Sequence, residues 1–222
     1  MDWPVLASLP AADQRRLTAG LRRRVYRRDE VIFHQGDPAD ALHLIAAGHV
    51  TVRVMLPGGE FVIVAVLGPG DAFGESALVS DSRPRSATVT ALEQCETLSL
   101  SQGEFERLRT SYPGVDRFLV ELLSARVDRL NRHLLEALYV PAERRVLRRL
   151  LDLCQLYAGD GPRIVIPLTQ EMLASLAGTT RPTANQVLGR LAADQMVEVS
   201  RGQIVVVNRE ELDRRAGPSE WA

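Results

Sequence analysis

The chain has 222 residues, 45 % hydrophobic and 25 % charged, with a net charge of −1; this fits one or two globular domains and gives no global field for nucleic acid or a lipid surface. All 27 basic residues are arginine, which excludes a P-loop lysine and a Schiff-base lysine. Two cysteines, Cys95 and Cys154, and four histidines, His34, His43, His49 and His133, show neither CxxC nor HExxH spacing, so neither a metal site nor a disulfide framework is expected.

The N-terminus lacks a signal-peptide pattern and no apolar run reaches ~18 residues, which predicts a cytoplasmic protein without a membrane partner. Residues 10–24 read as a helix, with Pro10 near its start and Leu17 and Leu21 at i, i+4. From Val25 to about Leu100 short β-branched runs take over: EVIFHQG, ALHLIAAGHVTVRVML, EFVIVAVL, SATVTAL and ETLSL. Glycine-rich turns at QGDPAD, PGGE and GPGDAFGE separate them. Short strands at regular intervals predict an antiparallel, jelly-roll-like β-roll; no helices alternate with them, which rules out a doubly wound sheet.

Past Pro113 the pattern turns helical. Val120, Leu123, Val127, Leu130, Leu134 and Ala137 recur at intervals of 3, 4, 3, 4 and 3, a coiled-coil seam. Leu122, Leu135 and Leu138 widen that face, so the helix is expected to pack on its own domain and on a partner helix. A single buried core helix is the alternative. Pro141 marks a hinge or boundary, and a second helix, AERRVLRRLLDLCQLYAG, ends near Gly159. The expected domains are 1–112, 113–140 and 141–222, an α+β chain overall.

In the last segment Thr169 can cap a helix carrying Met172, Leu173 and Leu176, and Gly178 ends it. Thr180 can cap the next, with Pro182 in its first turn and Ala184, Val187, Leu188 and Leu191 as the buried stripe. Two short helices at this interval make a helix-turn-helix, and MVEVSRGQIVVV reads as a hairpin wing. Arg181, Thr183, Asn185, Gln186 and Arg190 are then candidates for DNA bases in the major groove; Thr169, Thr179, Thr180 and Arg201 complete the expected DNA-binding set, the last three suited to phosphates. The same shape also occurs in proteins that bind no DNA.

One stretch, FGESALVSDSRPRSATV, sets Glu75 beside Gly74 and places Arg85, Ser86 and Ala87 ten residues on. An arginine fork can hold a phosphate, small neighbours let backbone N–H groups approach it, and a carboxylate can accept from a ribose hydroxyl. A cyclic nucleotide carries both groups. The competing reading is a structural Glu75–Arg85 ion pair with no ligand.

That stretch resembles the phosphate-binding cassette of cyclic-nucleotide-binding domains. Together with EVIFHQGDPADALHLIAAGHVTV, the long helix and LTQEMLASLAGTTRPT, the order of the whole chain resembles the CRP/FNR superfamily of bacterial transcription regulators. The resemblance implies a homodimeric, DNA-binding regulator gated by a cyclic nucleotide, cyclic AMP first and cyclic GMP as the alternative. RNA polymerase is a further partner it allows. Gly74, Glu75 and Ser76 are implied at the ribose end, Arg85, Ser86 and Ala87 at the cyclic phosphate, and Asn131 on the long helix at the base. The adenine-reading Thr-Ser pair of some members has no match; Leu130 and Asn131, or residues near Leu134, fall there. Arg181 matches a contacting arginine of the recognition helix, whereas Pro182 and Gln186 replace a glutamate and a second arginine, so a different operator is expected. The iron–sulfur cysteine cluster of one branch is absent. No enzyme motif accompanies these features.

Overall fold

The run Ala41–Ala47 (β3) sets the layering of the first half. Leu42, Leu44 and Ala46 face one core, shared with Leu17, Leu100, Phe105 and Phe118, while Ile45 faces a second, shared with Val50, Leu67, Phe73 and Val89. Successive strand side chains point to opposite faces, so a strand buried on both reads as an unbroken apolar run rather than an alternation.

The structure is a computed structural model and describes residues 6, 10–79, 83–112, 114–158 and 161–217. Helix α1 (Ala11–Ala19) leads into β1 (Arg22–Tyr26) and β2 (Val31–Phe33); β3 is followed by β4 (Val50–Met55), β5 (Phe61–Leu67) and β6 (Ala72–Phe73). A 3₁₀ turn at Glu75–Leu78 precedes β7 (Thr88–Ala91), β8 (Cys95–Ser101) and α2 (Gln102–Ser111). The strands form two four-stranded sheets, ordered β1-β8-β3-β6 and β2-β7-β4-β5. Every registered pair within them is antiparallel.

Two elements differ from the sequence expectation. The first helix stops at Ala19 rather than running to residue 24, because Arg22–Tyr26 pair with Cys95–Ser99; ladder bonds outweigh the helical propensity of an arginine run. Helix α2 follows directly from β8, capped by Ser101, whose hydroxyl accepts from the Glu104 N–H.

Helix α3 (Gly114–Tyr139) is continuous over 26 residues, and α4 (Ala142–Leu156) begins after Pro141. The expected boundary at Pro113 and helix end near Gly159 lie outside the described residues. Beyond them come β9 (Ile164–Ile166), α5 (Gln170–Leu176), α6 (Arg181–Ala193), β10 (Val197–Ser200), β11 (Gln203–Val206) and α7 (Arg209–Ala216). Strands β10, β11 and β9 make a three-stranded antiparallel sheet, and the wing turns at Arg201–Gly202. By contacts the chain divides into one unit of residues 1–61 and 65–129 and another of residues 130–222 with 62–64, so α3 runs through the division. No helix among the described residues is long and apolar enough to cross a membrane.

Candidate ligand cassette and nucleic-acid interface

In the first unit the loop before β7 delivers Arg85 into the roll. Arg85 is held by two backbone bonds, its N–H donating to the Asp37 carbonyl at 2.8 Å and its carbonyl accepting from Gly36 N–H at 2.9 Å. Arg85 is only 2 % exposed. Its Nη2 donates to Asp40 Oδ1 at 2.7 Å and to the Ala41 carbonyl at 2.9 Å, and its Nη1 donates to the Gly74 carbonyl at 3.2 Å. The guanidinium lies 4.0 Å over the Phe33 ring. Burial lowers its pKa, and Asp40 opposes that shift. Its Nε is buried and has no hydrogen-bond partner.

Gly74 completes this cradle. It sits in the left-handed region at φ 84°, where a Cβ would stand 2.6 Å from Arg85 Nη1 and 2.9 Å from the Ala41 carbonyl. Only glycine meets both the conformation and the space.

The ion pair of Arg85 is with Asp40, not with Glu75 as in the ligand-free alternative. Asp40 opens β3, where the Pro38–Pro84 bridge brings the two loops together. Glu75 contributes to the field at Arg85 but lines a cavity of about 420 Å³ with Asp71, Glu121, Leu122, Arg126 and Arg129. The cavity is closed on one side by α3, tied to the roll through Arg129 Nη2 and Asp71 Oδ1 at 3.4 Å. Ser76 is half-buried, Ser86 exposed and Ala87 buried, and Asn131 is exposed on α3; of the expected ligand residues only Glu75 lines this cavity, and Gly74, Ser76, Arg85, Ser86, Ala87 and Asn131 do not. Sequence reasoning passed over Asp40, Phe33, Arg126 and Arg129. Asp40 stands in QGDPADAL, whose glycine and proline mark a turn and mask its role; the α3 arginines carry no signal because the register of a helix against a roll is a tertiary property.

The second unit holds the helix-turn-helix. Thr169 caps α5, its hydroxyl accepting from Met172 N–H at 3.2 Å, and Thr180 caps α6, accepting from Thr183 N–H at 3.4 Å. Gly178 takes φ 57° in the turn between them. Ala184, Val187, Leu188 and Leu191 are buried, which leaves Arg181, Asn185, Gln186 and Arg190 exposed. Thr179 is half-buried and Arg201 exposed at the wing turn. Arg145, on α4, donates to three carbonyls: Val140 at 2.7 Å, Ala177 at 2.8 Å and Gly178 at 2.8 Å. One guanidinium thus joins the end of α3 to the turn that orients α6.

Residues 23–112 match the model of the cyclic nucleotide-binding domain, and residues 144–215 that of the Crp-like helix-turn-helix domain. The chain is 36 % identical over 185 residues to the cyclic AMP receptor protein of Thermus thermophilus, covering 83 % of each. It is 28 % identical over 203 residues to a CRP-like cAMP-activated global transcriptional regulator of Mycobacterium tuberculosis, covering 90 % of each. Among solved structures, the c-di-GMP responsive global regulator CLP of Xanthomonas campestris superposes with a TM-score of 0.73 at 25 % identity, over 89 % of this chain and 99 % of that one. The antiparallel roll, long helix and winged helix-turn-helix, the two domain matches and these relatives agree: the chain belongs to the CRP/FNR family of DNA-binding transcription regulators, which are not enzymes.

Proposed function

We propose that the chain is a homodimeric regulator whose DNA binding is gated by a cyclic nucleotide, cyclic AMP in the first place. The observation that carries this reading is Arg85: a guanidinium 2 % exposed, with an unbonded Nε, whose only ion-paired carboxylate, among the described residues, is largely in water. Burying a charge so incompletely neutralised is costly unless an anion arrives, and a phosphate supplies acceptors for the remaining donors. A cavity lined by Glu75, though not by Arg85, falls within the range of small-molecule sites, and a carboxylate in its wall can accept from a ribose hydroxyl. Relatives named for cyclic AMP support the choice of nucleotide.

The gate works only if the nucleotide binds the DNA-ready arrangement more tightly than the other; a coupling of about 1–3 kcal/mol is usual. Two recognition helices of a dimer then meet successive major grooves roughly 34 Å apart on a near-palindromic site. A second reading keeps the DNA binding and changes the effector. It is favoured by the base end of the site: Asn131 does not line the cavity, whereas Arg126 and Arg129 do. A neighbour described as c-di-GMP responsive illustrates that alternative. Calorimetry of the whole chain with cyclic AMP, cyclic GMP and c-di-GMP separates the readings, and a gel shift on random-sequence DNA with and without cyclic AMP tests the gate.

A further inference from the structure

His43 lies on the interior face of β3, two residues from Ile45, and is 6 % exposed. Its ring stacks on Phe73, with centroids 5.0 Å apart and planes 3° from parallel. Phe33 closes the group, 6.2 Å from His43 and 5.8 Å from Phe73. Both phenylalanines also serve Arg85. The guanidinium lies over Phe33, and Gly74, the residue after Phe73, gives Nη1 its carbonyl. A titratable ring is therefore packed into the platform that carries the phosphate-binding candidate.

We propose that His43 is a positioning residue that links anion binding at Arg85 to the uptake of a proton. This rests on the cyclic-nucleotide reading above and adds a regulation to that site. The groups facing the ring come from several elements. Arg85 comes from the loop before β7, Asp40 from the residue before β3, Arg24 and Tyr26 from β1, and Thr97 from β8, its hydroxyl 3.2 Å from Nδ1. From β2 and β6 come the uncharged rings of Phe33 and Phe73. Two cations thus oppose one carboxylate, and that carboxylate is mostly in water. Burial first, then the Arg85 charge, hold the imidazole down at about 4, so the empty site keeps a neutral ring. A phosphate against Arg85 sets a negative charge beside the positive one and cancels much of its field at His43. Burial remains, so the return toward the ordinary value is partial. Once charged, the ring keeps its stack as a cation over the Phe73 face. The sign follows from linkage: the liganded protein holds this proton more readily than the free one, so affinity rises as pH falls toward 4 and is flat near neutrality.

The test is titration calorimetry of the full-length protein with cyclic AMP at about pH 5, 6 and 7, each in two buffers of different ionisation enthalpy, which reads affinity and protons taken up together. The parent should bind about two- to fourfold more tightly at pH 5 than at pH 7 and take up a fraction of a proton at the lower pH. His43→Phe keeps a ring in the stack, and His43→Gln keeps a polar side chain; neither titrates in this range. Both should lose that share of the uptake. Uptake by the carboxylates around Arg85, those of Asp37, Asp40 and Glu75, is common to parent and variants and cancels in the comparison. Should both variants fail to fold by circular dichroism, the ring proton signals of the four histidines decide in the parent: one must titrate at higher pH with cyclic AMP than without it. Equal uptake by parent and variants, or histidine titrations that cyclic AMP leaves unmoved, overturns this inference while leaving nucleotide binding intact. No heat of binding with either cyclic AMP or cyclic GMP at any of the three pH values overturns the cyclic-nucleotide reading and this inference with it.

Discussion

Asp40 and Arg85 form an ion pair of 2.7 Å whose two halves live in different solvents: the Arg85 side chain is 1 % exposed and that of Asp40 84 %. The carboxylate is therefore screened, and its charge alone contributes little. Its directional role is larger. With Ala41 it takes both Nη2 hydrogens, which leaves the buried Nε and the second Nη1 hydrogen for the proposed phosphate. Losing one acceptor for a buried donor costs about 1–3 kcal/mol. Asp40→Ala is expected to weaken cyclic-nucleotide binding about tenfold and Asp40→Asn by less. Titration calorimetry measures both; tighter binding by either variant would show Asp40 to be a competitor of the ligand instead.

Gly74→Ala tests the cradle from its other side. The left-handed conformation costs an L-residue about 1–2 kcal/mol, and the new Cβ would stand 2.6 Å from Arg85 Nη1. The guanidinium or the turn must move. We expect the variant to remain folded, melt a few degrees lower and bind cyclic nucleotide at least tenfold more weakly. Equal affinity in calorimetry would mean that Arg85 does not need this position to bind ligand.

His43 gives the roll an acid-sensitive point. Its ring stacks on Phe73 at 5.0 Å and bonds Thr97 at 3.2 Å; burial, then the nearby Arg85 charge, push its pKa down from 6.5 to about 4, against a smaller opposing effect of Asp40. The folded state thus binds this proton less readily than the unfolded chain. Stability from this group is full above pH 6.5 and is lost as pH falls toward 4, to a total of about 3 kcal/mol. His43→Phe keeps a stacked ring and removes the titration. Its urea midpoint should change less between pH 7 and pH 4.5 than that of the parent; identical slopes would place the acid lability elsewhere.

The elements that sequence reasoning caught are those with a local signature. The strands of the roll announced themselves by β-branched runs between glycine turns, α6 by Thr180, Pro182 and a 3.6-residue stripe, and the wing by Arg201–Gly202. The ion-pair partner of Arg85 and the strand at Arg22–Arg24 are hidden from a local reading for one common cause. Both are decided by residues 45 to 77 positions away, Asp40 for the one and Ser99 for the other, and no window of neighbours reports such a distance. The role of Arg145 is the extreme case: an arginine among many on α4, distinguished only by the three carbonyls it reaches.

Arg145 makes its own prediction. Val140 ends the α3 segment and Ala177 and Gly178 belong to the helix-turn-helix turn, so the clamp satisfies terminal carbonyls of two helices with one side chain. Charge-assisted bonds of this kind are each worth about 1.5–3 kcal/mol. Arg145→Lys keeps the charge but not the fork. It should lower stability by a few kcal/mol and reduce the ratio of DNA affinities measured with and without nucleotide. A stability loss with an unchanged ratio would confine Arg145 to scaffolding.

The seam on α3 bears on assembly. Val120, Val127, Leu130, Leu134 and Leu138 are all more than half exposed in the single chain, at heptad-like intervals. Burying such side chains yields up to about 1.5–3 kcal/mol each, and a stripe that long is seldom left open on a monomer. A parallel partner helix covers it in the proposed dimer. Placing a charge in its middle, as in Leu134→Glu, puts like charges face to face across the two-fold axis and strips the seam of an apolar layer. Sedimentation velocity should then report the monomer at micromolar concentration while circular dichroism stays native. DNA carrying two half-sites should be bound no more tightly than DNA carrying one. If Leu134→Glu sediments as a dimer, the copies meet through another surface, and the exposed leucines of α3 require a different partner.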